Sequence, residues 1–168
     1  LRALYRAGMY GRLSIMYPMI TSTQEIRELR CMEKEVKEEL VREGIPFKED
    51  IPTGIMIETP AAAVISDELA GLVDFFSVGT NDLTQYTLAV DRQNPKVNSY
   101  YNTHHPAVMR MIEMVTRSAH EAGIQVAVSG DMADDSELTE WFIRTGVDIL
   151  SVSAASILPL RQTVRDLD

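Results

Sequence analysis

Glu58 closes the apolar run Gly54-Ile55-Met56-Ile57, and Gly79-Thr80-Asn81-Asp82 closes another, Phe75-Phe76-Ser77-Val78. Two carboxylates set at the ends of such runs suit a hard divalent cation. Mg2+ is typically held by one or two carboxylates, with substrate phosphate and water completing the shell. Gly79 and Thr80 bring backbone N–H groups to the same place, and Asn81 can donate to an anion. Arg92, farther along, carries a planar fork of donors that matches phosphate. Each feature has a plainer use as well: Glu58 could stabilise the N-terminus of a following helix, and Asn81 and Asp82 could cap a strand-to-loop turn. A lone loop arginine is usually just solvated. Taken together, the two carboxylates, the asparagine and the arginine read as a metal and phosphate site.

A third run, Val126-Ala127-Val128-Ser129-Gly130-Asp131-Met132-Ala133-Asp134-Asp135, passes from apolar alternation into a small acidic turn with Ser129 at the hinge. Other reactive residue types read as structural. His104 and His105 precede Pro106 and serve as loop and cap residues, and His120 sits late in a helix, where its charge favours the helix dipole. Met109, Met111 and Met114 fill core. Cys31 points away from the apolar stripe Ile26, Leu29, Val36 and Leu40, so it is no candidate nucleophile.

Short β-branched, aromatic or apolar segments bounded by Gly, Pro, Asp or Thr predict five strands, at residues 13–19, 54–58, 75–79, 125–129 and 149–153. Helices with readable ends lie between them. Ser22-Thr23-Gln24-Glu25 fits a capping box, with a stop at Gly44. Thr59-Pro60 and His105-Pro106 use proline at the first helical position, with stops at Gly71 and Gly123, and Asp134 to Glu137 would cap a helix ending near Gly146. Strict alternation of strand and helix means a parallel sheet with helical crossovers, either doubly wound or a barrel. The barrel is favoured, because no glycine-rich dinucleotide loop follows a strand and the polar residues gather where strands end, the rim on which barrel active sites sit. The expected fold is therefore an α/β, TIM-type β/α barrel, incomplete, with about five of eight strand–helix units present.

The composition sets outer limits. With 168 residues, 45% hydrophobic and 24% charged, the chain can bury an ordinary core as one domain over residues 1–168. A net charge of -9 argues against nucleic acid and anionic membrane surfaces as partners. No apolar stretch reaches the roughly 20 residues of a membrane helix, and the single cysteine fits a reducing cytoplasm. The sequence starts without Met in a helix-like stretch, and the expectation is a piece of a longer protein whose first barrel strands precede it.

GIMIETPAAAV, VDFFSVGTNDLTQYTLAVDRQN, VAVSGDMADD and LSVSAASILPLR, together with RLSIMYPMI, resemble the C-terminal domain of the Enzyme I family of phosphoenolpyruvate-protein phosphotransferases, among the PEP-utilising enzymes. GTNDLTQ is shared with the pyruvate phosphate dikinases and phosphoenolpyruvate synthases, whereas TQYTLAVDR is the Enzyme I form. The resemblance implies a homodimer-forming β/α barrel that binds phosphoenolpyruvate with Mg2+. The phosphoryl group then passes to a histidine on a separate N-terminal domain and onward to the carrier HPr in sugar uptake. By position, Glu58 and Asp82 match the metal ligands, Asn81 and Arg92 match contacts to the phosphate, and the backbone at Gly79 and Thr80 approaches the ligand. Strands preceding these would supply further arginines. The family's motif at the acidic turn reads close to CGEMAGD, with its cysteine protonating the enolate of pyruvate. Here Ser129 replaces the cysteine, Asp131 the glutamate and Asp134 the glycine. Three readings follow: an active phosphotransferase domain, a catalytically impaired one that binds phosphoenolpyruvate and serves in dimerisation or regulation, and a dikinase or synthase relative, which the TQYTLAVDR form disfavours.

Overall fold

Five parallel strands stand side by side in the order of the sequence: β1 (Ile15–Tyr17), β2 (Thr53–Ile57), β3 (Phe75–Gly79), β4 (Gln125–Ser129) and β5 (Ile149–Ser151). This is a computed structural model describing residues 1–167; Asp168, the last residue of the domain expected over 1–168, lies outside them. The consecutive order decides between the two architectures left open by alternation. A doubly wound sheet reverses its strand order at a switch point, placing helices on both faces. Right-handed crossovers that always step the same way lay their helices on one face, as in a barrel wall.

The side chains divide accordingly. Ile55, Ile57, Phe76, Val78, Val126 and Val128 are buried under the helices, as the period-two alternation of strands requires. The opposite face carries Met16, Ser77, Ala127, Ile149 and Ser151, which border an open cavity of about 610 Å³. One helix organises the covered face. Helix α6 (Pro106–Glu121) buries Val108, Ile112, Val115 and Ala119, and packs on both α3 (Pro60–Val64) and α4 (Ser66–Ala70). Burying a Val or Ile side chain contributes on the order of 1.5–3 kcal/mol. Elsewhere α2 (Thr23–Arg42) carries a buried Glu33 that accepts hydrogen bonds from the Tyr17 hydroxyl (2.9 Å) and Thr53 Oγ1 (3.2 Å), tying the helix to β1 and β2.

Most local signals work as read. Ser22 and Glu25 form the reciprocal capping box, and the chain leaves α2 through Gly44 at φ 64°. Thr59 Oγ1 and His105 Nδ1 cap their helices by accepting from Ala62 N (3.1 Å) and Ala107 N (3.2 Å). Five expectations need correction. Strand β2 spans Thr53–Ile57 rather than 54–58, which leaves Glu58 just past its end. Strand β1 is shorter than 13–19, because Pro18 donates no N–H and Met19 turns left-handed at φ 57°. Strand β5 stops at Ser151 rather than 153. The helix expected from Thr59 to Gly71 is broken at Ile65, whose φ -104° and ψ 23° leave the helical region; beyond the break, Ser66 Oγ donates to Ser118 Oγ of α6 at 2.9 Å. Asp134 to Glu137 do not cap the next helix. Asp134 ends the short α7 (Asp131–Asp134) with its carboxylate accepting from Ser153 N (3.0 Å), and α8 (Thr139–Thr145) starts after Leu138.

Candidate phosphoryl-ligand site at the strand ends

Alternation along the strands fixes which residues share the open face at the C-terminal rim. Gly79 pairs with Ser129 and Ser129 with Ser151, so these lie in one row across β3, β4 and β5. Ile57 pairs with Val78, so the next position, Glu58, falls beside Gly79. The row accounts for two glycines. A Cβ on Gly79 would stand 3.0 Å from Glu58 Oε2 and 2.9 Å from Met56 Sδ. A Cβ on Gly130 would stand 2.5 Å from Thr80 Oγ1 and 2.7 Å from Asn81 Oδ1, and its φ of 98° lies where residues with side chains are strained.

Glu58 is 4% exposed, and its Oε1 accepts a hydrogen bond from Met19 N at 2.8 Å. It does not cap the helix after it; Thr59 does that. Burial pushes the Glu58 carboxyl above its ordinary range, the Met19 N–H opposes this, and the negative charge of Asp82 adds to the rise. Asp82 lies in the first turn of α5 (Thr80–Leu88), which begins directly where β3 ends. The GTND segment is thus a helix start, with no intervening loop.

Asn81 is held at three points. Its Oδ1 accepts from Asp131 N (2.8 Å), and its main-chain carbonyl accepts from the Tyr101 hydroxyl (3.1 Å). Thr80 Oγ1 lies against it and donates to the main-chain carbonyl of Ser129 at 2.8 Å. With Oδ1 engaged by a main-chain donor, the Asn81 amide nitrogen is the group left to donate elsewhere. Ser129 Oγ in turn donates to the Val78 carbonyl at 3.2 Å.

Helix α5 ends at Ala89 in the left-handed conformation, φ 53°, which redirects the chain toward Arg92. Gln85 Oε1 accepts from Arg92 N (3.2 Å), and Arg92 Nη2 reaches Asp82 Oδ1 at 3.6 Å. Arg92 Nη1 is shielded from solvent and has no hydrogen-bond partner among the described residues, as is the case for Thr84 Oγ1. Unpartnered buried donors are uncommon, and a guanidinium donor is an apt one to be completed by an anion. Burial raises the Tyr101 phenol above its usual range, while the Arg92 guanidinium beside it opposes that shift.

All of the residues picked out in the sequence, Glu58, Gly79, Thr80, Asn81, Asp82, Arg92 and Ser129, therefore meet at one rim. His120 does not: its Nε2 lies 3.2 Å from Asp148 Oδ2, away from the rim. Cys31 is exposed on α2, and Met109 and Met111 pack against the core. The sequence reading missed Tyr101 and the contact of His104 Nε2 with Asp135 Oδ2 at 2.7 Å. Both act across distances in sequence that no local pattern encodes. Among the described residues no group of three or more His, Cys, Asp and Glu could hold a metal alone. A buried glutamate beside an aspartate, with an arginine facing the latter, fits Mg2+ that draws its other ligands from a phosphorylated substrate and water.

A family model described as PEP-utilising enzyme, PEP-binding domain, matches residues 1–168. The chain is 46% identical over 167 residues to the phosphoenolpyruvate-protein phosphotransferase of Priestia megaterium, covering 99% of this chain and 29% of that protein. It is 44% identical over 168 residues to that of Enterococcus faecalis, again spanning 29% of the relative. Among solved structures, a citrate lyase from Burkholderia xenovorans LB400 superposes with a TM-score of 0.63 at 20% identity, covering 96% of this chain and 50% of that one. An HpcH/HpaI aldolase/citrate lyase family protein from Burkholderia cenocepacia J2315 gives 0.61 at 16% identity, covering 92% and 63%. Likeness at that identity speaks to the fold alone.

Proposed function

The chain belongs to the PEP-utilising enzyme family, matched over its full length by the PEP-binding domain, and from that premise we propose that it is the phosphoenolpyruvate-binding part of a phosphoenolpyruvate-protein phosphotransferase. The observation that carries this reading is the rim itself: buried Glu58, Asp82 beside it, and Arg92, whose Nη1 has no hydrogen-bond partner among the described residues. Glu58 and Asp82 would hold Mg2+, which when bound neutralises charge on the phosphoryl oxygens. Asn81 donates its amide to the phosphate, and Arg92 places its fork on the same group. Gly79 keeps the backbone low enough for the ligand to approach Glu58. Phosphoryl transfer asks mainly for such positioning and charge neutralisation, and little covalent chemistry from the protein. In this proposal the acceptor is a histidine on a separate domain, and HPr receives the group next. The chain forms part of a β/α barrel in a cytoplasmic homodimer, and no helix among the described residues is long and apolar enough to cross a membrane.

A second reading is favoured by Ser129. Its hydroxyl is a much weaker acid than a thiol and donates to the Val78 carbonyl, so proton delivery to the enolate is impaired. The domain would then bind phosphoenolpyruvate without efficient turnover. The two readings separate in the full-length protein supplied with phosphoenolpyruvate and Mg2+. Phosphohistidine and pyruvate appearing together support the phosphotransferase; ligand binding without pyruvate supports the impaired domain; no binding contradicts both.

A further inference from the structure

The segment between α5 and α6 crosses the rim and is fastened on both sides. At Tyr101 it is tied to the end of β3, because the phenol donates to the Asn81 carbonyl at 3.1 Å while lying beside the Arg92 guanidinium. At His104 it is tied to the segment after β4, because Nε2 lies 2.7 Å from Asp135 Oδ2. Both anchors are stabilised within their own turns. Asn102 Oδ1 accepts from His104 N (3.0 Å), and Asp135 Oδ1 accepts from Glu137 N (2.9 Å), which leaves Oδ2 for the histidine. Arg92 sits at the start of this strap with its main-chain N–H on Gln85. Among the described residues its close acidic neighbour is Asp82, which at 3.6 Å is too distant for a good hydrogen bond. That ion pair alone therefore fixes the guanidinium only loosely.

We propose that Tyr101 and His104 are positioning residues: they clip the residue 92–104 strap to the ends of β3 and β4 and thereby hold Arg92 over the Glu58–Asp82 rim. The proposal rests on the reading of that rim as a phosphate site. Tyr101 acts on two ligand contacts at once, since the residue it bonds is Asn81 and the side chain it flanks is Arg92. His104 closes the strap against Asp135, on the far side of the altered acidic turn from Ser129.

Nuclear magnetic resonance on the full chain tests this without ligand. Tyr101→Phe, His104→Ala and Asp135→Asn are compared with the parent for amide exchange over residues 92–104 and for the Arg92 Nε–Hε signal. Asp135→Asn keeps the Oδ1 that accepts from Glu137 N, so it guards against an unfolded His104 variant. The expected result is exchange about threefold to tenfold faster across the strap in Tyr101→Phe and His104→Ala, as loss of one hydrogen bond implies, and a smaller increase in Asp135→Asn, whose amide can still donate to the ring. The Arg92 signal should shift or broaden, while α6 amides stay unchanged. Unaltered strap exchange in all three variants would overturn the proposal. Faster exchange with an unmoved Arg92 signal would overturn it too, because the clips would then be structural only. If the parent's Arg92 signal ignores phosphoenolpyruvate with Mg2+ while the variant effects hold, the ligand assignment fails and the strap stands.

Discussion

Glu58 is the residue at which the electrostatics of the site can be read most directly. Burial, with the charge of Asp82 adding to it, raises its carboxyl above the ordinary value near 4.5, so the folded chain keeps that proton at a pH where the unfolded chain has lost it. Stability from this group is therefore full below about 4.5 and is lost as pH rises through the folded value. Metal binding follows the opposite trend, since the ligand must be ionised. Glu58→Gln should then raise the metal-free Tm at neutral pH, because Gln can still accept from Met19 N without ionising, and should abolish the Tm increase given by Mg2+ with phosphoenolpyruvate; thermal melts with and without ligand check both. Ser129 governs turnover instead. Ser129→Cys in the full-length protein should raise pyruvate formation by at least about tenfold if a proton donor has been lost. An unchanged rate would refute that account.

At the scale of elements, the turn from β4 into α7 has little freedom. Gly130, at φ 98° and ψ -173°, occupies backbone space that is essentially glycine's own, and a Cβ there would strike Thr80 and Asn81. Gly130→Ala should destabilise the chain by about 1–3 kcal/mol, seen as a lower denaturation midpoint with the m-value unchanged. It should also weaken ligand binding, because Asn81 is displaced. Short-range devices of this kind were largely legible in the sequence. The Ser22 box and the Thr59-Pro60 and His105-Pro106 starts each depend on residues within three positions of one another. The break at Ile65 was not legible, since it accompanies packing on α6 rather than any local breaker. Nor was Tyr101, whose partner Asn81 lies 20 residues away. The role of Asp134 was misread for the same reason: its partner, Ser153, lies 19 residues on.

For the whole molecule, consecutive strand order leaves one face of the sheet under helices and the other, only partly polar, bordering an open cavity. Alternation of strand and helix signalled this class of fold, and the polar strand ends signalled which rim to inspect. The consecutive order itself depends on all five strands and left no mark in any single segment. The chain spans 29% of its curated phosphotransferase relatives. The resemblance assigns further phosphate-binding arginines to strands that precede these, so calorimetry on the chain alone should find only weak affinity for phosphoenolpyruvate; tight binding would contradict that division. Even weak binding is detectable, since Mn2+ takes the same oxygen ligands as Mg2+ and broadens nearby resonances at low occupancy. With phosphoenolpyruvate present, a Mn2+ titration should broaden amides centred on Glu58, residues 79–82 and Arg92, and both Glu58→Gln and Asp82→Asn should remove the effect. Broadening centred elsewhere, or left intact by those two substitutions, would contradict the assignment of this rim as the metal and phosphoenolpyruvate site.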